Sequence, residues 1–133
     1  MKPGSIQFSI QNLTADLKTI PEIDFALLFG SAQSGILEKK SDIDIGVYLN
    51  TPVTPDLILS IVKSVENTVS AECDLTILNT ASEILRFEAL KGKVLFIRDD
   101  KMEGYANFYS LTCREYEDTI AWMQRQMAYR GYA

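Results

Sequence analysis

In the stretch FALLFGSAQSGILEKKSDIDIGVYL, which runs from Phe25 to Leu49, an apolar run ends in Gly30-Ser31 and a short polar loop follows. Ser41-Asp42-Ile43-Asp44-Ile45 then opens a second apolar run. Two short apolar runs joined this way predict a pair of strands, Asp24–Phe29 and Asp42–Leu49, antiparallel because the loop between them is short. Gly30 permits the sharp turn after the first. Side chains at i and i+2 of a strand share a face. Asp42 and Asp44 are therefore expected side by side at the mouth of the second strand, with Ile43 and Ile45 turned into the core. Carboxylates that close repel, and one is pushed toward protonation. A divalent cation between them removes that cost, because hard cations such as Mg²⁺ favour carboxylate oxygens and also carry nucleotide phosphates. The stretch reads as a metal–phosphate site.

Working outward, Ile6, Ile10, Leu13 and Leu17 recur at helical spacing, which predicts an amphipathic helix over Ser5–Thr19, stopped by Pro21. A second helix is expected from Pro55, which suits a first-turn position, to about Val69. Cys73–Leu78 reads as a third strand. Thr80-x-x-Glu83 reads as a capping box opening a helix through Leu90, ended by Gly92. Lys93–Ile97 is a fourth strand. From about Lys101, Tyr105, Phe108, Tyr109, Thr112, Tyr116, Ile120, Met123 and Met127 form one stripe of a long helix. This order gives an α+β fold, a small mixed β-sheet with helices packed on it. The chain is expected to be one domain over 1–133, with a core over about 1–98 and a C-terminal helix over about 101–129.

Composition narrows the chemistry. The net charge of −5 and the 18 acidic residues against 13 basic ones argue against direct gripping of nucleic acid by phosphate neutralisation. They fit action on a small nucleotide through a bridging metal, or pairing with a basic partner. With no histidine in the chain, His-based acid–base chemistry and His-ligated zinc are excluded, so carboxylates must act. Cys73 and Cys113 form no CxxC pair, which fits two buried thiols in a reduced, cytoplasmic setting. The start of the chain lacks the apolar region of a signal peptide. The longest unbroken apolar run, Phe25–Phe29, is too short to span a membrane.

Gly30-Ser31, a loop containing Gly35, and then Asp42-x-Asp44 together resemble the pattern of the DNA polymerase β-like nucleotidyltransferases. Among these the chain resembles the minimal nucleotidyltransferase (MNT) proteins, many of which are antitoxin partners of HEPN-domain toxins. The likeness runs from Phe25 to about Phe96. It implies a polymerase β-like core, Mg²⁺ as cofactor and ATP as nucleotide substrate. It further implies transfer of AMP to a tyrosine of a HEPN toxin, with Asp42, Asp44 and a third carboxylate as metal-binding and catalytic residues. Asp74, near the start of the third strand, stands where that third carboxylate belongs. Glu72 is its rival, on the same face nearer the strand's edge.

Each of these residues also has a plainer reading. Asp42 and Asp44 could only solvate a sheet end, and Asp74 a strand end. Gly30 and Ser31 form a plain turn unless their backbone N–H groups and the Ser31 hydroxyl meet phosphate oxygens. The chain also departs from the family pattern, with Gln33 and Ser34 where a small residue and a basic one are usual. Lys39 and Lys40 offer substitute charge for the phosphates, with Lys40 nearest the carboxylates. Arg86 resembles a basic position of the family, or is an exposed helix residue pairing with Glu83 or Glu88. Trp122 lies off the main stripe of the tail helix, whose half from about Ile120 reads as a partner or homo-oligomer surface. The alternative to an enzyme is a weakly active or inactive nucleotidyltransferase-fold module that neutralises its partner by binding.

Overall fold

The structure, a computed structural model, describes residues 5–38 and 41–131. Its central feature is β2, Ile23–Phe29, every residue of which is buried. A strand covered on both faces reads as a continuous apolar run rather than an alternation, as FALLF does. β4 (Ile43–Leu49) lies antiparallel to it, pairing Phe29 with Asp44 and Ile23 with Leu49. β5 (Cys73–Ile77) runs parallel to β4 on its outer side. β6 (Lys93–Ile97) runs antiparallel to β2 on the other side, giving the order β5-β4-β2-β6. The expected α+β fold with a small mixed sheet is what forms.

Helices cover both faces. α1 (Ile10–Lys18) and α2 (Pro55–Val69) pack Leu13, Leu17, Ile61, Val65 and Val69 against Ala26, Leu28, Ile43, Ile45 and Val47. On the opposite face, α3 (Glu83–Leu90) and α4 (Met102–Tyr129) bring Ala89 and Phe108 onto Phe25, Leu27, Phe29 and Leu78. Thr54 caps α2 by accepting the Leu57 N–H at 3.1 Å, with Pro55 in its first turn. This is the sequence-legible start that Ser/Thr before Pro gives.

Two expected boundaries move, each for a long-range reason. Ile6–Gln7 is not helical but a short strand, β1, paired antiparallel with β3 (Ile36–Leu37). The Phe8 N–H continues this pairing to the Gly35 carbonyl at 3.0 Å. Ser9 then accepts the Asn12 N–H at 3.1 Å and starts α1 at Ile10 rather than at the predicted Ser5. At α3, the cap is Ser82, whose hydroxyl accepts the Leu85 N–H at 3.3 Å, and not Thr80. The preceding turn is held by Asn79, whose amide bonds both the N–H and the carbonyl of Leu49 at 2.8 and 2.9 Å. The chain completes that clamp before a helix can begin.

Two arginines act as staples. Arg98 donates to the carbonyls of Ile23 (2.6 Å), Ile20 (2.8 Å) and Lys18 (3.1 Å), satisfying the end of α1 and tying it to β2. Arg86, read from the sequence either as a family-like basic position or as an exposed residue pairing with Glu83 or Glu88, is buried between α3 and α4. It donates to the Ala81 carbonyl (3.1 Å), the Thr112 hydroxyl (3.3 Å) and the Glu115 carboxylate (3.2 Å). Among the described residues no helix is long and apolar enough to cross a membrane.

Candidate active site

The register of β4 and β5 builds the site. Parallel pairing sets Asp44 beside Asp74, Gly46 beside Thr76, and Val47 beside Ile77. Because Ile43 and Ile45 face α1 and α2, alternation turns Asp44 to the opposite face, and Asp74 stands next to it there. Asp44 is half-buried and Asp74 exposed, at the open outer edge of the sheet.

Burial pushes the Asp44 carboxyl above its ordinary value of 3.8, and the charge of Asp74, a hydrogen bond to Asp74 and the charge of Asp42 push it further. Asp44 and Asp74 are thus in the strained situation that a cation would relieve. The same cluster, with Glu66 and the effect of burial ahead of it, pushes the neighbouring Cys73 thiol up to about 12, so that thiol is inert at neutral pH.

Asp42 sits differently from expectation. It precedes β4 rather than beginning it, and it is exposed. It lines a shallow cleft of about 320 Å³ with Ile6, Ser41, Ser70, Ala71 and Glu72. Its charge reaches Asp44. Among the described residues, however, no three acidic or cysteine side chains converge as a ready metal cage. Asp44 and Asp74 meet; Asp42 stands at the lip. Glu72 is exposed, and its carbonyl accepts the Ile43 N–H at 2.9 Å, which fixes the start of β4.

Gly30 is the residue that lets this arrangement exist. Its φ of +74° lies in the left-handed region, and a Cβ built on it would fall inside the Asp44 carboxylate. Past it the chain makes a turn of 3₁₀ helix, Gly30–Ser34, with Ser31 exposed. Gln33, read from the sequence only as a departure from a small residue, has a local role. Its amide donates to the Gly30 carbonyl at 3.1 Å and holds the turn. Gly92, between α3 and β6, supports the same corner from behind. A side chain there would meet the Leu28 carbonyl and the Phe29 backbone. Lys39 and Lys40 lie outside the described residues.

Asp44 and Asp74 present hard oxygen ligands beside a turn without side-chain bulk, a donor set suited to Mg²⁺ and a phosphate. The roles of Arg98 and Gln33 carry little signal in the sequence. Both depend on carbonyls that the fold brings close, and only the i, i+3 spacing of Gly30 and Gln33 carried any local signal.

Comparison with known proteins agrees with the fold. The sequence pattern described as Polymerase beta, Nucleotidyltransferase matches residues 11–101. No curated protein matches the chain significantly. Among solved structures, a mutant MntA–HpeT toxin–antitoxin structure superposes with a TM-score of 0.71 at 20% identity, covering 90% of this chain and 96% of that one. A toxin–antitoxin structure with AMP-PNP gives 0.68 at 22% identity, covering 86% and 95%. A tri-AMPylated HEPN toxin from Shewanella oneidensis in complex with MNT antitoxin gives 0.66 at 21% identity, covering 90% and 97%.

Proposed function

The chain belongs to the polymerase beta nucleotidyltransferase family, and on that premise we propose that it is a Mg²⁺-dependent enzyme moving AMP from ATP to a tyrosine hydroxyl of a HEPN-domain toxin in the cytoplasm. The observation that carries this is the meeting of Asp44 and Asp74 beside the Gly30 turn. The partner is suggested by the toxin–antitoxin complexes of similar fold, one with an AMPylated HEPN toxin and one with AMP-PNP.

Asp44 and Asp74 would hold the cation, with Asp42 closing on it from the lip. When bound, Mg²⁺ offsets the phosphate charge and orients the triphosphate. The exposed Ser31 hydroxyl and the backbone around Gly30 would donate to phosphate oxygens, and Lys40 would add charge. In the transfer a bond forms between the acceptor oxygen and the α-phosphorus, and the α-phosphorus–oxygen bond to pyrophosphate breaks. The acceptor's proton passes to a carboxylate. Asp74, exposed at the sheet edge, is assigned that role.

The test is transfer of label from α-labelled ATP, with Mg²⁺, to a protein copurifying from the native host. Wild type should label it. Asp44→Asn, which keeps shape and removes charge, should lower transfer at least about 1,000-fold, roughly 4 kcal/mol in barrier, with the fold intact. Comparable transfer in that variant would overturn the proposal.

The binding-module reading rests on a specific observation. Arg86 is engaged by Ala81, Thr112 and Glu115, and Ser34 stands where a basic residue would help hold a triphosphate. It expects an Asp42/Asp44 double mutant to protect cells from the partner as well as wild type does.

A further inference from the structure

α4 outruns the body it packs on. Phe108 and Thr112 are its buried residues. Tyr116 stacks on Phe87 of α3 with ring centroids 3.8 Å apart, and the Thr119 hydroxyl donates to Glu83 at 2.8 Å. These contacts run antiparallel along α3 and reach its first residue at Thr119. Ten further helical residues, Ile120–Tyr129, project beyond, a length of about 15 Å.

One flank of α4 carries Arg114, Asp118, the half-buried Ala121, Trp122, Arg125 and Tyr129. At 100° per residue these span about 100° of the helix surface, flanking the Phe108–Thr112–Tyr116–Thr119 side, with Trp122 nearest to it and Ala121 farthest from it. Trp122 is 55% and Tyr129 90% exposed. Arg114, Asp118 and Arg125 are exposed and have no hydrogen bond or ion pair among the described residues. An exposed tryptophan and tyrosine among unpaired charges of both signs is an interface pattern.

We propose that this face pairs with its own copy, two α4 helices running antiparallel about a two-fold axis between Ala121 and Trp122. Around that axis a residue n places before it meets the residue n places after it in the second copy. Ala121 then lies under Trp122, Asp118 meets Arg125, and Arg114 meets Tyr129, each twice by symmetry. Small packs under large, opposite charges meet, and a guanidinium lies over an aromatic ring. The other registers are worse. A parallel pair sets Arg114, Asp118 and Arg125 each on itself. Moving the antiparallel axis one helical turn toward either end sets Asp118 on Asp118 or Arg125 on Arg125. The sequence is self-complementary in one arrangement. The exposed ion pairs add little affinity and two helices bury modest area, so the dimer forms in the micromolar range. This inference is independent of the transfer reaction.

The test is sedimentation equilibrium of the full chain over about 1 μM to 1 mM, with circular dichroism confirming helix content. Wild type should dimerise. Asp118→Arg alone and Arg125→Asp alone should each weaken the dimer at least about tenfold. The Asp118→Arg/Arg125→Asp double swap should recover it to within about threefold, which a residue acting only within its own helix would not do. Trp122→Ala should also lower the association. A monomer throughout, or single swaps that dimerise like wild type, overturns the proposal. So does a double swap no better than the singles.

Discussion

The same three strands, on the same face, end in opposite ways. At one end β2, β4 and β5 offer Phe29, Asp44 and Asp74; at the other they offer Phe25 and Tyr48, with Leu78 just beyond β5. Only about 13 Å of strand separates Asp44 from Tyr48. At the Tyr48 end, Phe25 stacks on Tyr48 at 4.9 Å, and Tyr105 and Phe108 close on Phe25 at 5.0 and 5.4 Å. At the Asp44 end burial and neighbouring carboxylates push one carboxyl above its ordinary value, and a left-handed glycine leaves room for it. The difference is a division of labour. One end supplies stability through packed rings, and that surplus tolerates repulsion and backbone strain at the other, where a ligand can relieve it.

Removing a ring should separate the two ends most sharply. Phe25→Ala, at a position 1% exposed, deletes a side chain touching three other rings. It should cost about 3–5 kcal/mol of stability, read from urea unfolding. An effect under about 1 kcal/mol would mean that the aromatic end is not the anchor. Gly30→Ala acts at the strained end, forcing a Cβ into the Asp44 carboxylate at a positive φ. It should cost about 1–3 kcal/mol and at least about 100-fold in transfer. A variant with wild-type transfer would mean that the corner adapts freely.

The smallest effect is in pH and metal. Asp44 has a raised carboxyl pKa in the fold, so its contribution to the metal-free protein is fully present below the ordinary value of 3.8. That contribution is lost as pH rises through the raised one. Asp44→Asn, which cannot ionise, should escape this loss. Mg²⁺ competes with the proton, so it should raise the wild-type melting temperature by a few degrees at about pH 7–8 and not at about pH 4. An equal Mg²⁺ effect in Asp44→Asn would place the cation elsewhere.

Much of this contrast is legible in the linear chain. FALLF announces a strand buried on both faces, and Ile43 and Ile45 assign Asp44 to the opposite one. Elsewhere local signals compete with distant ones. Ile6 has helical spacing to Ile10 and Leu13, yet pairs with Leu37 instead. Thr80 and Glu83 have capping-box spacing, yet Glu83 receives the Thr119 hydroxyl from α4. Arg86 has helical neighbours of opposite charge, yet turns to Glu115, 29 residues on.

The sequence by itself determined the α+β order of elements, the carboxylates at a strand's mouth, the glycine turn before them and the excess length of the last helix. These follow from period, turn chemistry and residue type, which are local. Only the tertiary structure decided that Asp74 meets Asp44 while Asp42 stays at the lip. The same holds for Gln33 bracing the turn and Arg86 joining two helices. Those outcomes depend on strand register and on which carbonyl or hydroxyl a distant element brings within about 3 Å of a donor, and such distances are set once the whole chain has packed.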